Sequence, residues 1–330
     1  GNKVIREALI DKSIMITGAG GYIAANLTAA LADTPCRILR IDKPGAAFPP
    51  LAGRGPEIRD LEMDIRRRDA WEGVLDDVDI VYHLAAQTSV YAADRDPEAD
   101  LETNVLPLLN LLTSCRRQGL NPAVIFAGTV TEAGLTETLP VNEDHPDRPI
   151  TIYDLHKLAA ERYLLHFTAN NTVRGVALRL ANVYGPGPKS GSADRGILNA
   201  MIRKAIGGQE LTIYGEGDCR RDYVFIGDVV AALLRAAIHI DSIAGRYFVI
   251  GSGLGHTVAQ AIRMAAERVE LKTGRRVTIR NIEAPADLSP IEYRHFVADS
   301  GRFSQLTGWR PRYSLPEGID ATIMDFLAGG

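Results

Sequence analysis

Short runs of β-branched and other apolar residues recur through the first half of the chain. Each is followed by a longer stretch whose apolar positions fall three or four apart. The runs predict strands at Ser13–Thr17, Arg37–Ile41, Ile80–Leu84, Ala123–Ala127 and Val176–Leu180, with a further strand ending before Asp64. The longer stretches predict helices over Ile23–Leu31, Asp100–Arg117 and Tyr153–Phe167. Strands that are apolar throughout, alternating with helices, specify an α/β fold: a doubly wound parallel sheet covered on both faces. Ligands of such a sheet bind at the carboxyl ends of its strands.

After Leu180 the texture changes. The stretch Gly185–Gly196 is rich in Gly, Pro and Ser and reads as a long loop, suited to closing over a ligand. Helices are expected over Ile197–Ile206 and near Asp228–Ile238, with short strands between. The expected division is one domain over 1–180 and a smaller mixed α/β domain over 181–330, partly interwoven with the first.

Composition narrows the function. The 330 residues are 46% hydrophobic and 24% charged, and the formal net charge of -4 gives no footprint for nucleic acid. No apolar run approaches the roughly 20 residues of a membrane span, and residues 1–13 contain no apolar signal core, so secretion is not expected. Three cysteines and seven scattered histidines form neither a disulfide framework nor a metal-ligand spacing. A reducing, cytoplasmic setting is the expectation.

The segment IMITGAGGYIAANL places a strand, a glycine turn and a helix start in succession. Gly18 permits the tight turn. Gly20 and Gly21 let the backbone approach a pyrophosphate, which the amides at Tyr22 and Ile23 then face. The next strand ends in Asp42, followed by Lys43, near the ~20-residue offset of a ribose-binding carboxylate. A carboxylate there accepts from both ribose hydroxyls and repels a 2′-phosphate, so NAD is the expected cofactor. Asp64 and Ile65 follow a third strand, where an acid can bond an adenine amino group. Leu84, Ala85 and Ala86 end another strand in residues small enough for a cofactor to lie on the backbone.

Tyr153 and Lys157 are four residues apart in ITIYDLHKLAAERYL, and a helix puts them on one face. A phenol with a pKa near ~10 is a poor base at neutral pH. An ammonium beside it favours the phenolate, and a shift of ~3 units corresponds to about 4 kcal/mol. The same lysine can hold the nicotinamide ribose. Thr129 ends the strand PAVIFAGT, where a hydroxyl can polarise a substrate oxygen, or else cap the following turn.

These segments, in this order, resemble the extended short-chain dehydrogenase/reductase family and its NAD-dependent nucleotide-sugar epimerases and dehydratases, such as UDP-glucose 4-epimerase-like enzymes. The resemblance runs from Ser13 to about Gly318. It includes TGAGGYIA, HLAAQTSV, Asn104 in LETNVLPLLNLL, the Tyr153–Lys157 pair, LRLANVYGPG, TIYGEGDCRRDYVFIGDVV, YFVIGSG and GWRPRYSLPEG. It implies a Rossmann domain over 1–180 and a nucleotide-sugar domain over 181–330. It also implies that Asn104 supports the cofactor site and that Asn182 contacts the sugar diphosphate. Arg221 would bind a phosphate, and the Leu211–Tyr214 strand would border the base. A homodimer through the helices Asp100–Arg117 and Tyr153–Phe167 is implied as well.

The departures from the family are specific. Val130 and Thr131 stand where dehydratases carry Asp–Glu, which argues against water elimination, although Glu132 is adjacent. Gly128 and Ala133 replace larger residues and are expected to open the sugar end of the pocket. His156 precedes the lysine where Ser is common. The second phosphate-binding arginine expected near Ser289 is absent, with Arg294 close by. C4 epimerisation of a UDP-sugar through a 4-keto intermediate is the leading expectation. A reductase or dehydrogenase of a nucleotide-linked 4-keto sugar and a catalytically silent dinucleotide sensor are the alternatives.

Overall fold

A computed structural model describes residues 2–187 and 196–329. Most of the expected closing loop, residues 188–195, lies outside the described residues. The strands, in chain order, begin with β1 (Ser13–Thr17), β2 (Arg37–Asp42), β3 (Glu57–Glu62), β4 (Ile80–His83), β5 (Ala123–Thr129) and β6 (Arg174–Leu180). They continue with β7 (Asn182–Tyr184), β8 (Leu211–Tyr214), β9 (Arg220–Phe225), β10 (Arg246–Ile250), β11 (Gly255–Thr257) and β12 (Ile279–Ile282).

Seven of them form one sheet in the order β10-β6-β5-β4-β1-β2-β3, parallel throughout. The central strands are apolar on both faces because helices cover both. Ile14, Met15 and Ile16 of β1 and Val81 and Tyr82 of β4 are all buried. The order of strand addition reverses between β1 and β4, since β2 and β3 extend the sheet one way and β5 and β6 the other. The crevice for a dinucleotide opens at that switch point. This is the Rossmann arrangement that the sequence pattern implied.

Beyond residue 180 the chain contributes to both parts of the molecule. β10 returns to the edge of the large sheet beside β6, while β7, β9 and β11 form a three-stranded sheet and β8 pairs with β12. The expected helix over Asp100–Arg117 is two helices, Pro97–Asn104 and Leu106–Gln118, broken at Val105. Pro107 causes the break: it has no N–H to continue the ladder, so it sits in the first turn of a new helix. Among the described residues, no helix is long and apolar enough to cross a membrane.

Candidate active site

The glycine turn is shaped by contact with β4. Gly18 has φ +65°, and a Cβ there would lie 2.7 Å from the Ala85 Cα. A Cβ on Gly20 would lie 2.7 Å from the Ala47 carbonyl oxygen. Gly21 caps the helix Tyr22–Ala30 without any side-chain hydrogen bond, so the leading amides of that helix are available to an anion. Asp42 closes the cradle: Oδ2 accepts from Gly20 N at 2.8 Å and Oδ1 from Lys43 N at 2.7 Å. A backbone that only glycine fits, beside a helix N-terminus and a fixed carboxylate, suits a pyrophosphate and its ribose.

The other expected cofactor residues divide into those that face this crevice and those that build it. Leu84 and Ala85 are pinned through Thr17, whose Oγ1 accepts from both backbone amides at 3.1 and 3.2 Å. Its one proton therefore goes to His83 Nδ1, 2.9 Å away, a ring that burial pushes down to about 3 and keeps neutral. Ala86 is half-buried and follows directly in the chain. Asn104 braces the same loop, accepting from Gln87 N at 2.9 Å and donating to Gln87 O at 3.0 Å and to Asp100 at 2.8 Å. Tyr22 offers only its backbone: its buried hydroxyl donates to the Gly185 carbonyl at 2.6 Å. Ile23 packs on the core, and Lys43 is exposed. Asp64 is held by the Arg66 guanidinium at 2.9 Å, which keeps its carboxyl below the usual range, and Ile65 packs against the second core cluster.

The helix Ile152–Ala169 carries the chemistry, with Thr151 as its N-cap accepting from Asp154 N at 3.0 Å. Tyr153 is half-buried, and Lys157 is buried one turn later on the same face. The Lys157 ammonium lies 4.4 Å above the Phe126 ring. Burial pushes it below the ordinary lysine range, opposed by the negative charges of Glu132, Asp100 and Glu161. Those charges favour the ammonium form. Asp100 is itself gripped by His156, whose Nδ1 is 2.5 Å from its carboxylate.

Gly128 and Ala133 do not open the pocket, contrary to the sequence expectation. A Cβ at Gly128 would lie 2.8 Å from Glu132 Oε2, so the space left by the missing side chain is filled from within. Glu132 is fully buried, accepts from Thr129 N at 2.8 Å, and faces Arg179 at 3.4 Å. Arg179 also binds Glu161 at 2.9 and 2.6 Å and Asp147 at 2.6 Å. Burial, with Glu161 close by, raises the Glu132 carboxyl well above its ordinary value. Ala133 is part of the hydrophobic core. Glu132 therefore points into this cluster and does not stand in for a dehydratase acid.

Thr129 does cap the turn Val130–Ala133, but its hydroxyl is also 2.7 Å from Thr131 Oγ1. Thr131 in turn donates to Asp154 Oδ1 at 2.5 Å, tying the end of β5 to the residue after Tyr153. Neither Thr131 nor Asp154 was marked by the sequence as a site residue. Asp154 reads there only as an acid in a first helical turn.

On the substrate side, Arg221 is buried and not a surface partner of Asp222. It donates through Nη2 to the Glu292 carbonyl at 2.6 Å and through Nη1 to the Arg294 carbonyl. Asp222 instead fastens Ser252, Gly253 and Ala298. Arg294 reaches Asn182 Oδ1 at 3.4 Å and the Ile291 carbonyl at 3.1 Å, and its Nε is buried with no partner. Burial and the charge of Arg221 push Arg294 down to about 10. Among the described residues, no carboxylate lies within ion-pair distance of either guanidinium. Two adjoining guanidiniums, neither in an ion pair among the described residues, suit an anion. Arg294, five positions beyond Ser289, is the arginine that lies beside Arg221 and Asn182. The Leu211 side chain lies in the core, whereas Tyr214 at the far end of β8 is exposed. No group of three metal-binding side chains is present among the described residues.

The family model described as NAD dependent epimerase/dehydratase family matches residues 14–251. A GDP-6-deoxy-D-mannose reductase of Pseudomonas aeruginosa is 28% identical over 325 residues, covering 96% of this chain and 98% of the relative. A UDP-glucose 4-epimerase of Azospirillum brasilense is 28% identical over 322 residues, covering 93% and 89%. The crystal structure of the Thermotoga maritima UDP-glucose 4-epimerase with UDP-glucose is similar at a TM-score of 0.83 and 27% identity, covering 96% of this chain and 99% of that one.

Proposed function

The chain belongs to the NAD dependent epimerase/dehydratase family, within the extended short-chain dehydrogenases/reductases, and from that premise we propose that it epimerises a UDP-sugar at C4. The observation that carries this reading is the pairing of two features. One is a Tyr153–Lys157 helix face on the switch-point sheet, and the other is an adjoining arginine pair, Arg221 and Arg294, that makes no ion pair among the described residues. The first suits oxidation of an alcohol, and the second suits a diphosphate.

Gly18, Gly20, Gly21 and Asp42 would hold NAD, which would supply the acceptor and donor of hydride. Tyr153, as the phenolate favoured by the Lys157 ammonium, takes the proton of the sugar 4-hydroxyl. Thr129 orients the 4-oxygen. Arg221, Arg294 and Asn182 hold the diphosphate while the 4-keto sugar turns over in the site. Hydride would then return to the opposite face of C4 while Tyr153 gives its proton back to the 4-oxygen. Nothing is consumed, so the cofactor is expected to stay bound between turnovers.

The alternative is a reductase of a nucleotide-linked 4-keto sugar, favoured by the likeness to the GDP-6-deoxy-D-mannose reductase. Asp42 weighs toward NAD in either case, since its carboxylate at the glycine turn repels a 2′-phosphate. Proton NMR of the purified protein with UDP-glucose, UDP-N-acetylglucosamine and their uronic acids, no cofactor added, separates the two readings. Appearance of a C4 epimer supports the epimerase. Silence, followed by NADH- or NADPH-dependent reduction of 4-keto sugars, supports the reductase. Tyr153→Phe is expected to lower turnover by ~10²–10⁴-fold with NAD still bound, read by cofactor content of the purified variant. Retention of most activity by that variant would remove the tyrosine mechanism.

A further inference from the structure

The Thr129 hydroxyl ends a chain of side chains that runs inward from the reacting position. Thr129 Oγ1 is 2.7 Å from Thr131 Oγ1, Thr131 Oγ1 is 2.5 Å from Asp154 Oδ1, and Thr151 Oγ1 is 2.7 Å from Asp154 Oδ2. Asp154 is fully buried. Each hydroxyl has one proton to give. Thr151 accepts from Asp154 N and gives its own proton to Oδ2. Any proton on the Asp154 carboxyl therefore sits on Oδ1, toward Thr131.

Two polarities of the chain follow. With Asp154 ionised, Thr131 donates to Oδ1, Thr129 must donate to Thr131, and no Thr129 proton remains for substrate. With Asp154 neutral, Oδ1–H donates to Thr131, Thr131 donates to Thr129, and the Thr129 proton is free to point outward. We propose that Thr131 and Asp154 are positioning residues that set the direction of the Thr129 hydroxyl, presenting it as a donor to the sugar 4-oxygen while that oxygen becomes a carbonyl. The inference rests on the proposed oxidation at C4, where a donor aimed at the developing charge accelerates the step. Reversal takes up one proton at the Asp154 carboxyl, while each hydroxyl keeps its own proton and exchanges one partner for the other.

The surroundings of Asp154 favour this use. Burial holds its carboxyl above the ordinary range, opposed by the hydroxyls of Thr131 and Thr151 and by the positive charge of Arg294 from the substrate side. Tyr153 and Lys157 flank it on its own helix. An anionic substrate over Arg294 offsets that cation, so binding of the diphosphate shifts Asp154 further toward its neutral form. Thr129 thus becomes a donor when substrate is in place.

The test is the pH dependence of kcat in the intact protein with its bound cofactor. Wild type is expected to lose activity as pH rises through the Asp154 titration, below the further loss expected when Lys157 gives up its proton. In Asp154→Asn the amide N–H donates permanently to Thr131, so the first fall disappears and kcat stays within about threefold of the wild-type maximum. Thr131→Val breaks the chain: kcat falls about tenfold, KM is unchanged, and the first fall is again absent. Thr131→Ser restores both the rate and the pH profile. The proposal is overturned if the first fall persists in Asp154→Asn and Thr131→Val alike. Infrared difference spectra of wild type against Asp154→Asn decide the matter without turnover. A carboxylic acid C=O band that shifts in Thr131→Val supports the relay, and an unmoved band refutes it. A wild type inert toward every sugar would sink the functional reading, and the infrared result would still stand on its own.

Discussion

A buried glutamate beside a glycine is the sharpest structural choice in this site. Glu132 occupies the volume that a side chain at position 128 would need, and it uses that volume to bond Thr129 N and face Arg179. Gly128→Ala is therefore expected to cost about 1–3 kcal/mol, because the carboxylate cannot retreat without losing those partners. In Gly128→Ala/Glu132→Val the clash is gone, and the two changes should cost less together than the sum of their separate effects, read by urea unfolding of all four proteins. Strict additivity would mean that the two positions do not share the space. Arg294 makes the complementary case. Its guanidinium is sheltered beside another cation, so Arg294→Met should raise unfolding stability by roughly 1 kcal/mol or more. The same variant should weaken UDP binding by about 10- to 100-fold in calorimetry, with cofactor content unchanged. Stability given up for a binding site has this signature, and a variant that loses both would place Arg294 in the scaffold.

At the scale of elements, the helix Ile152–Ala169 is unusual in what it buries. Its inward stripe holds Asp154, Lys157 and Glu161 along with Ala160, Leu164 and Phe167, so half of its contact with the sheet is made by ionisable groups. Thr151 anchors the first turn. Thr151→Ala should cost about 1 kcal/mol as a lost cap, and it should also disturb the pH profile of turnover, since the same hydroxyl fixes Asp154 Oδ2. A change in thermal stability alone would leave Thr151 a cap and nothing more. The parts of the site that are local in sequence were legible there: the glycine turn with Asp42, the Tyr153–Lys157 spacing, and the central strands β1, β4, β5 and β6, which are largely buried on both faces. Features set by distant contacts were not. β10 joins the sheet only because Arg246–Ile250 finds the open edge of β6, and no local pattern names that edge. Arg294 meets Arg221 and Asn182 through the path of the 289–294 segment, so a comparison at Ser289 alone misses the second arginine beside them. Gly128 differs from these in that its space is filled from nearby, by Glu132 four positions on, but the turn that aims that carboxylate inward is held by the distant Arg179.

At the scale of the molecule, the outward side of the catalytic helix has still to be accounted for. Leu155 is 50% exposed and Tyr163 41%, and with Ala159 between them they fall at i, i+4 and i+8 along one face; Leu101, on the contacting helix Pro97–Asn104, is 41% exposed. Large apolar side chains clustered on paired helices are surface that association removes from water. A homodimer that packs these helices against their copies is the arrangement this face suits, and it would back the helix bearing Tyr153 and Lys157 with a rigid partner. Leu155→Glu would place a charge in the centre of that contact. Light scattering coupled to size-exclusion chromatography should then report a change from the mass of two chains to that of one, with a lower melting temperature. Because the catalytic stripe is on the other side of the same helix, kcat should fall in the monomer while bound NAD is retained. A single-chain mass for the wild type would show that this face serves no self-association, and an unchanged dimer in Leu155→Glu would move the interface elsewhere on the surface.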